Sequence, residues 1–251
     1  QGVFPEAALS PDGRLQKPHV GILNYMLREF DPEGDFDIVF VPVGLNYERV
    51  VEDEALIARR DETMISQRGT LFVLKEIALF GAAIAARVVT GRWRKFGRAC
   101  ANFGTPLSLR GWLADGGYDL KSLDREKYFQ CVRSLGDDLM DQIAGVIPVL
   151  PASIVAVVFH RAGDAIVSEL EIKAQAHSLI GEFENAQASV YVPFGEESVA
   201  VADGLRMMLE RGIVRQPEPG RYAVNPEAQA LLEFYVAPVE HFLSDKPNTT
   251  Q

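Results

Sequence analysis

Residues Asp37–Asp53 read DIVFVPVGLNYERVVED. The run from Asp37 to Val43 is almost continuously apolar and β-branched, a composition that suits a strand buried on both faces and ending at Pro42, whose missing N–H ends a ladder. Working outward from it, Asp31-Pro-Glu-Gly34 marks a turn. Before that turn Val20, Leu23, Leu27 and Phe30 fall at helical spacing and predict a helix over His19–Phe30. Residues 51–90 are helical in composition, interrupted at Arg68-Gly69. Ala99–Phe103 reads as a second strand, closed by Gly104-Thr105-Pro106. The texture then changes. Leu123–Val146 predicts a helix broken by Pro148 and Pro151, Ile154–Phe159 suits helix or strand, and Ala165–Phe183 reads as helix. Glu196–Arg211 reads as a helix, GIVRQPEPGRYAV (Gly212–Val224) as a hairpin around Glu218-Pro219-Gly220, and Pro226–Leu243 as a last helix. Helix, small wing and helix resemble a winged-helix arrangement. The expected fold is α/β: a mixed α/β part over 1–140, with helices over a strongly buried sheet, then an α-rich part over 141–251 with a winged end.

Composition narrows the function. With 25 Lys and Arg against 35 Asp and Glu, the net charge of -10 leaves no cationic excess to displace phosphate counterions, which argues against a nucleic-acid binder. Cys100 and Cys131 have no metal-type spacing, and none of the four histidines, His19, His160, His177 and His241, sits in a zinc pattern. No metal or cofactor is expected. The most apolar run, IALFGAAIAA (Ile77–Ala86), falls well short of the roughly 20 residues that span a bilayer.

Two stretches carry candidate chemistry. In the loop Glu6–Lys17, Gly13 supplies backbone freedom and Arg14 and Lys17 supply charge, while the following helix points free N–H groups back at them. That is either an anion seat or an ordinary turn leading into a helix. Arg92-Trp93-Arg94-Lys95-Phe96-Gly97-Arg98 interleaves basic and aromatic residues beside the apolar run, and reads either as a membrane-surface contact or as a solvated loop.

Four segments in order resemble one family. FPEAALSPDGRLQKPHVGIL (Phe4–Leu23) is similar to the third conserved block of the glycerol-3-phosphate acyltransferases, F-x-E-G-x-R-S-R-x-G-[RK], with Glu6, Ser10, Gly13 and Arg14 at matching positions. VFVPVGLNYERVVED resembles the fourth block, GRACANFGTPLSL the segment with Asn-Phe-Gly, and LLEFYVAPVEHFL the C-terminal stretch. The resemblance, to the bacterial membrane-associated branch, implies acyl transfer from acyl-CoA or acyl carrier protein to the 1-hydroxyl of glycerol-3-phosphate, at the cytoplasmic face of an inner membrane. It implies that Glu6 orients the site or binds the acceptor, that positive groups hold the phosphate, and that Pro42, with Val41 and Val43, shapes the acyl side. Another phosphorylated acceptor, such as lysophosphatidate or dihydroxyacetone phosphate, or a non-catalytic scaffold relative, stays open.

The family's catalytic His-x-x-x-x-Asp lies upstream of the third block. Here the residues five beyond His19, His160 and His177 are Asn24, Ala165 and Glu182. Positions five apart on a helix point roughly 140° from each other, so His177 and Glu182 do not substitute. The chain is therefore expected to be an inactive C-terminal fragment of its parent enzyme. Ala7, Leu9 and Pro11 replace the family's Gly and two Arg.

Overall fold

The computed structural model describes residues 2–6, 10–50, 53, 56–57, 97–192 and 195–243. The expected helical stretch 51–90, apart from Asp53, Leu56 and Ile57, lies outside the described residues, as do Arg92, Trp93, Arg94 and Lys95.

The first helix, α1 (Gly21–Glu29), buries Leu23 and Leu27. They meet Leu109 and Leu113 of α2 (Leu109–Asp115) and Leu135 of α3 (Arg125–Gly145) in a small apolar cluster. α3 starts cleanly because the Asp124 carboxylate accepts the Lys127 backbone N–H at 2.9 Å, satisfying one of the donors a helix N-terminus leaves open.

The strand read over Asp37–Val43 is corrected in two ways. It does not end at Pro42. β1 (Val39–Phe40) pairs antiparallel with β4 (Leu107–Ser108), and β2 (Val43–Tyr47) pairs antiparallel with β3 (Ala99–Phe103). Pro42 has no N–H for the ladder, so the chain changes partner there, and the Gly104 N–H donates to the Pro42 carbonyl at 2.8 Å to hold the crossover. Nor is the strand buried on both faces: Val39, Val41, Val43, Leu45 and Tyr47 are all exposed, while Pro42, Gly44 and Asn46 point inward. The apolar run looked two-sided because the residues between its valines, Phe40 and Pro42, are themselves apolar.

The second half is built around α4 (Pro151–Ala162), whose residues Pro151 to Phe159 are all buried. Its all-apolar sequence fits a helix wrapped on every side, and the ambiguity of Ile154–Phe159 resolves to helix. Pro151 sits in its first turn, where a missing N–H costs nothing. The expected helix over Ala165–Phe183 begins instead with a short strand, β5 (Val167–Ser168), and α5 runs Glu169–Asn185. Ser168 and Glu171 form a reciprocal capping box that sets this boundary. α6 (Glu197–Glu210) follows, then β6 (Val214–Glu218) and β7 (Arg221–Val224), in a sheet ordered β5-β7-β6. Helix, strand, two helices and a hairpin give the winged arrangement its full order. The last helix is shorter than expected: α7 (Gln229–Val236) lies between 3-10 turns at Pro226–Ala228 and Ala237–Phe242. Pro238 cannot donate to the Phe234 carbonyl, so the α-helical ladder stops there.

The α4-centred cluster extends from Leu56 to Val239 and is separate from the first. The changeover falls near the end of α3, and residue 140 lies inside that helix.

Candidate functional site

The loop that precedes α1 is closed by its own polar groups. The Glu6 carboxylate accepts the Gln16 backbone N–H at 2.5 Å, and the His19 N–H donates to the Pro5 carbonyl at 2.8 Å. Ser10 Oγ donates to the Arg14 carbonyl at 2.7 Å, while the Arg14 N–H donates to Asp12 at 3.1 Å. The Gln16 amide Nε2 reaches Asp12 at 3.2 Å and the Arg14 carbonyl at 3.0 Å. Glu6, Ser10 and Arg14 are thus brought into one hydrogen-bonded ring, with Gly13 at its turn. Lys17 stands beside it, exposed and without an ion pair among the described residues. Pro42 belongs to a different element, buried at the β1–β2 crossover.

This ring is seated on the far end of the chain. Gly13 has φ +78°, and a Cβ added there would lie 2.5 Å from the Phe234 carbonyl oxygen. Only glycine combines that backbone with so close an approach. The contact is made to the carbonyl that Pro238 leaves without its helical donor. Arg14 completes the seat with a guanidinium N–H 2.9 Å from Glu240. Arg14, one of the two cations of the expected anion seat, is therefore already paired with a carboxylate, and Lys17 is the free cation of the loop among the described residues.

A second polar junction lies beneath. Asp53 is wholly buried and receives hydrogen bonds from Arg211 and from the Tyr235 hydroxyl, the latter at 2.8 Å. Burial, then the adjacent Asp53 carboxylate, pushes the Tyr235 phenol well above its ordinary range, which keeps it a donor. The Val50 N–H points at the same oxygen at 3.3 Å. Next to this, Glu48, Arg49, Arg98, Asp203, Arg206 and Glu210 line an open cleft of about 470 Å³ between the β2–β3 end and α6. Its acids and arginines balance, with Arg98 set 3.6 Å from both Glu48 and Asp203.

Asp12, Gln16, Glu240 and the Asp53–Tyr235–Arg211 set escaped the sequence reading. Only the short-range members carried a signal, the Ser-x-Asp and Gly spacing of the loop; the rest are partners more than a hundred residues away. The histidines are peripheral. His177 faces Glu197 at 3.8 Å on the surface, His241 places Nε2 2.9 Å from the Ala144 carbonyl, and His19 and His160 are exposed. Among the described residues no cluster could hold a metal ion, and no helix is long and apolar enough to cross a membrane.

The described residues thus form an α/β segment with a closed, glycine-pinned polar loop, joined to an α-rich winged unit. Residues 86–243 match the family described as the glycerol-3-phosphate acyltransferase C-terminal region, and the chain belongs to that family. The glycerol-3-phosphate acyltransferase of Pseudomonas putida (strain GB-1) is 33% identical over 110 residues, 44% of this chain and 12% of that protein. The one from Pseudomonas fluorescens (strain SBW25) is 30% identical over 110 residues, with the same coverage. That of Pseudomonas syringae pv. syringae (strain B728a) is 25% identical over 160 residues, 61% of this chain and 18% of that protein. The chain thus spans well under two thirds of the length of the relatives it matches.

Proposed function

We propose that the protein to which this chain belongs transfers an acyl group from acyl-CoA or acyl carrier protein to the 1-hydroxyl of glycerol-3-phosphate, the first step of phospholipid synthesis. The observation that carries this reading is the family match over 86–243, joined by relatives whose names state that activity. In the reaction a histidine supplied outside these residues takes the hydroxyl proton. The alkoxide attacks the thioester carbonyl, the C–S bond breaks, and the departing thiolate is protonated. This chain supplies positioning. Glu6, fixed by Gln16, presents a carboxylate of defined orientation beside the acceptor. Lys17, with the N-terminus of α1, offers the phosphate its positive charge, and Ser10, Gly13 and Arg14 hold the loop in shape. Pro42 sets the strand crossover on the acyl side. The 251 residues alone are inactive. Arg92, Trp93, Arg94 and Lys95 seat the protein on the cytoplasmic face of the inner membrane.

The test is the complete gene product in membranes with labelled glycerol-3-phosphate and an acyl-CoA. Labelled lysophosphatidate that is lost on changing the histidine of an upstream His-x-x-x-x-Asp, and weakened by Glu6→Ala, is the expected result. No product from any phosphorylated acceptor overturns it. The membrane contact is checked separately: changing Arg92, Arg94 and Lys95 to Gln is expected to abolish flotation with anionic liposomes, and full flotation discards it.

A further inference from the structure

The β2–β3 pair is built inside out. Its inner face, toward the end of α3, carries Gly44, Asn46, Cys100 and Asn102. Gly44 is pressed so closely that an added Cβ would lie 2.5 Å from the Val146 carbonyl oxygen, and the Asn46 amide donates to the Pro148 carbonyl at 2.8 Å. The Asn102 Nδ2 is buried with no acceptor among the described residues. Its outer face carries Val41, Val43, Leu45, Tyr47, Ala101 and Phe103, all exposed, with Phe103 at 73%. An ordinary one-sided sheet shows the reverse, apolar residues in and polar residues out. A contiguous apolar face of this kind marks an interaction surface.

We infer that this outer face is an internal interface, covered by an apolar part of the acyltransferase polypeptide that lies outside these 251 residues. Two further observations select that occupant. The match covers only 12% to 18% of the relatives' length, so proteins of this family carry ample further polypeptide. Among the described residues β2 and β3 also form a sheet of two strands, each with one edge unpaired. Such a pair is marginal alone, and its free N–H and C=O groups form a template on which further strands can pair. A lipid surface would cover the side chains but leave those backbone groups without partners. The inference rests on family membership and not on acyl transfer.

The test is cysteine labelling with a water-soluble maleimide, compared between the 251-residue chain and the complete gene product in detergent. Leu45→Cys and Phe103→Cys are read above the wild-type background of Cys100 and Cys131, and Val199→Cys, 59% exposed on α6, is the control. We expect Leu45→Cys and Phe103→Cys to react at least about tenfold more slowly in the complete product, with the control unchanged, as for a site that must open before it reacts. Equal rates in the two proteins overturn the inference. So does protection already present in the 251-residue chain, or protection that appears only as its concentration rises, which would indicate a second copy. Protection that needs added vesicles assigns the face to lipid and overturns it too. Because labelling needs no turnover, an inactive enzyme with a protected Leu45→Cys would sink the acyl-transfer reading and leave this one standing.

Discussion

The two halves of the chain solve burial differently. Around α4 every residue from Pro151 to Phe159 is enclosed, by α5, α6, α7 and the winged sheet in turn. Around β2–β3 the apolar side chains face outward and the interior is lined by glycine and asparagine. The first region is complete in itself, because helices on all sides use its apolar surface. The second is half of an arrangement: its packing toward α3 is finished and its other face is open. A family whose members run far beyond this segment has reason to keep such a face, since a surface buried later in the polypeptide need not be polar.

The comparison breaks most sharply in the cores. Phe159→Ala, at 0% exposure, is expected to cost about 3–5 kcal/mol, and Leu135→Ala in the smaller cluster about 2–5 kcal/mol. If the halves melt separately, each variant will lower only one of two urea transitions. A single transition shifted by both would show that α3 and the Gly13 seat bind them into one unit.

Gly13→Ala probes that seat directly. The positive φ and the approach to Phe234 predict a loss of about 1–3 kcal/mol from strain alone. The effect should be largest in whichever probe reports on the last helix, such as hydrogen exchange at α7. No change there would mean that the loop is not anchored by the C-terminal end.

Smaller effects sharpen the picture of the self-sufficient half. Ser168→Ala removes the capping box of α5 and is expected to lower stability by about 1 kcal/mol in urea unfolding. Weaker still is the exposed fork between Arg161 and Glu182, with N···O distances of 3.0 and 2.9 Å. The hydrogen bond from Arg161 holds the Glu182 carboxyl below its ordinary value of 4.5. A depressed folded value gives stability that is present above the unfolded pKa and is lost as pH falls through the folded one. Glu182→Gln should therefore trail the wild type slightly at pH 7, and the gap should close in acid; a gap constant with pH would exclude the ion pair as its source.

How much was legible depended on the range of the interaction that decides each feature. The α1 and α3 helices, the α6–wing sequence and the strand Ala99–Phe103 follow from periodicity and turn residues, which are local. The closed loop was visible in part, as a glycine with flanking charges. That Arg14 would be spent on Glu240, and that Asp53 would be held by Arg211 and Tyr235, was not, because these pairs are set by chain segments brought together only in the fold. DIVFVPVGLNY shows the limit best. The nearly continuous apolar, β-branched run marks a strand, and Pro42 reads as its end, whereas in the fold the chain changes partner there and continues. Which face lies inward is decided by what packs against it. There the backbone at Val146 comes too close to Gly44 for any side chain and the Pro148 carbonyl takes the Asn46 amide, so glycine and asparagine go in and the valines are left outside.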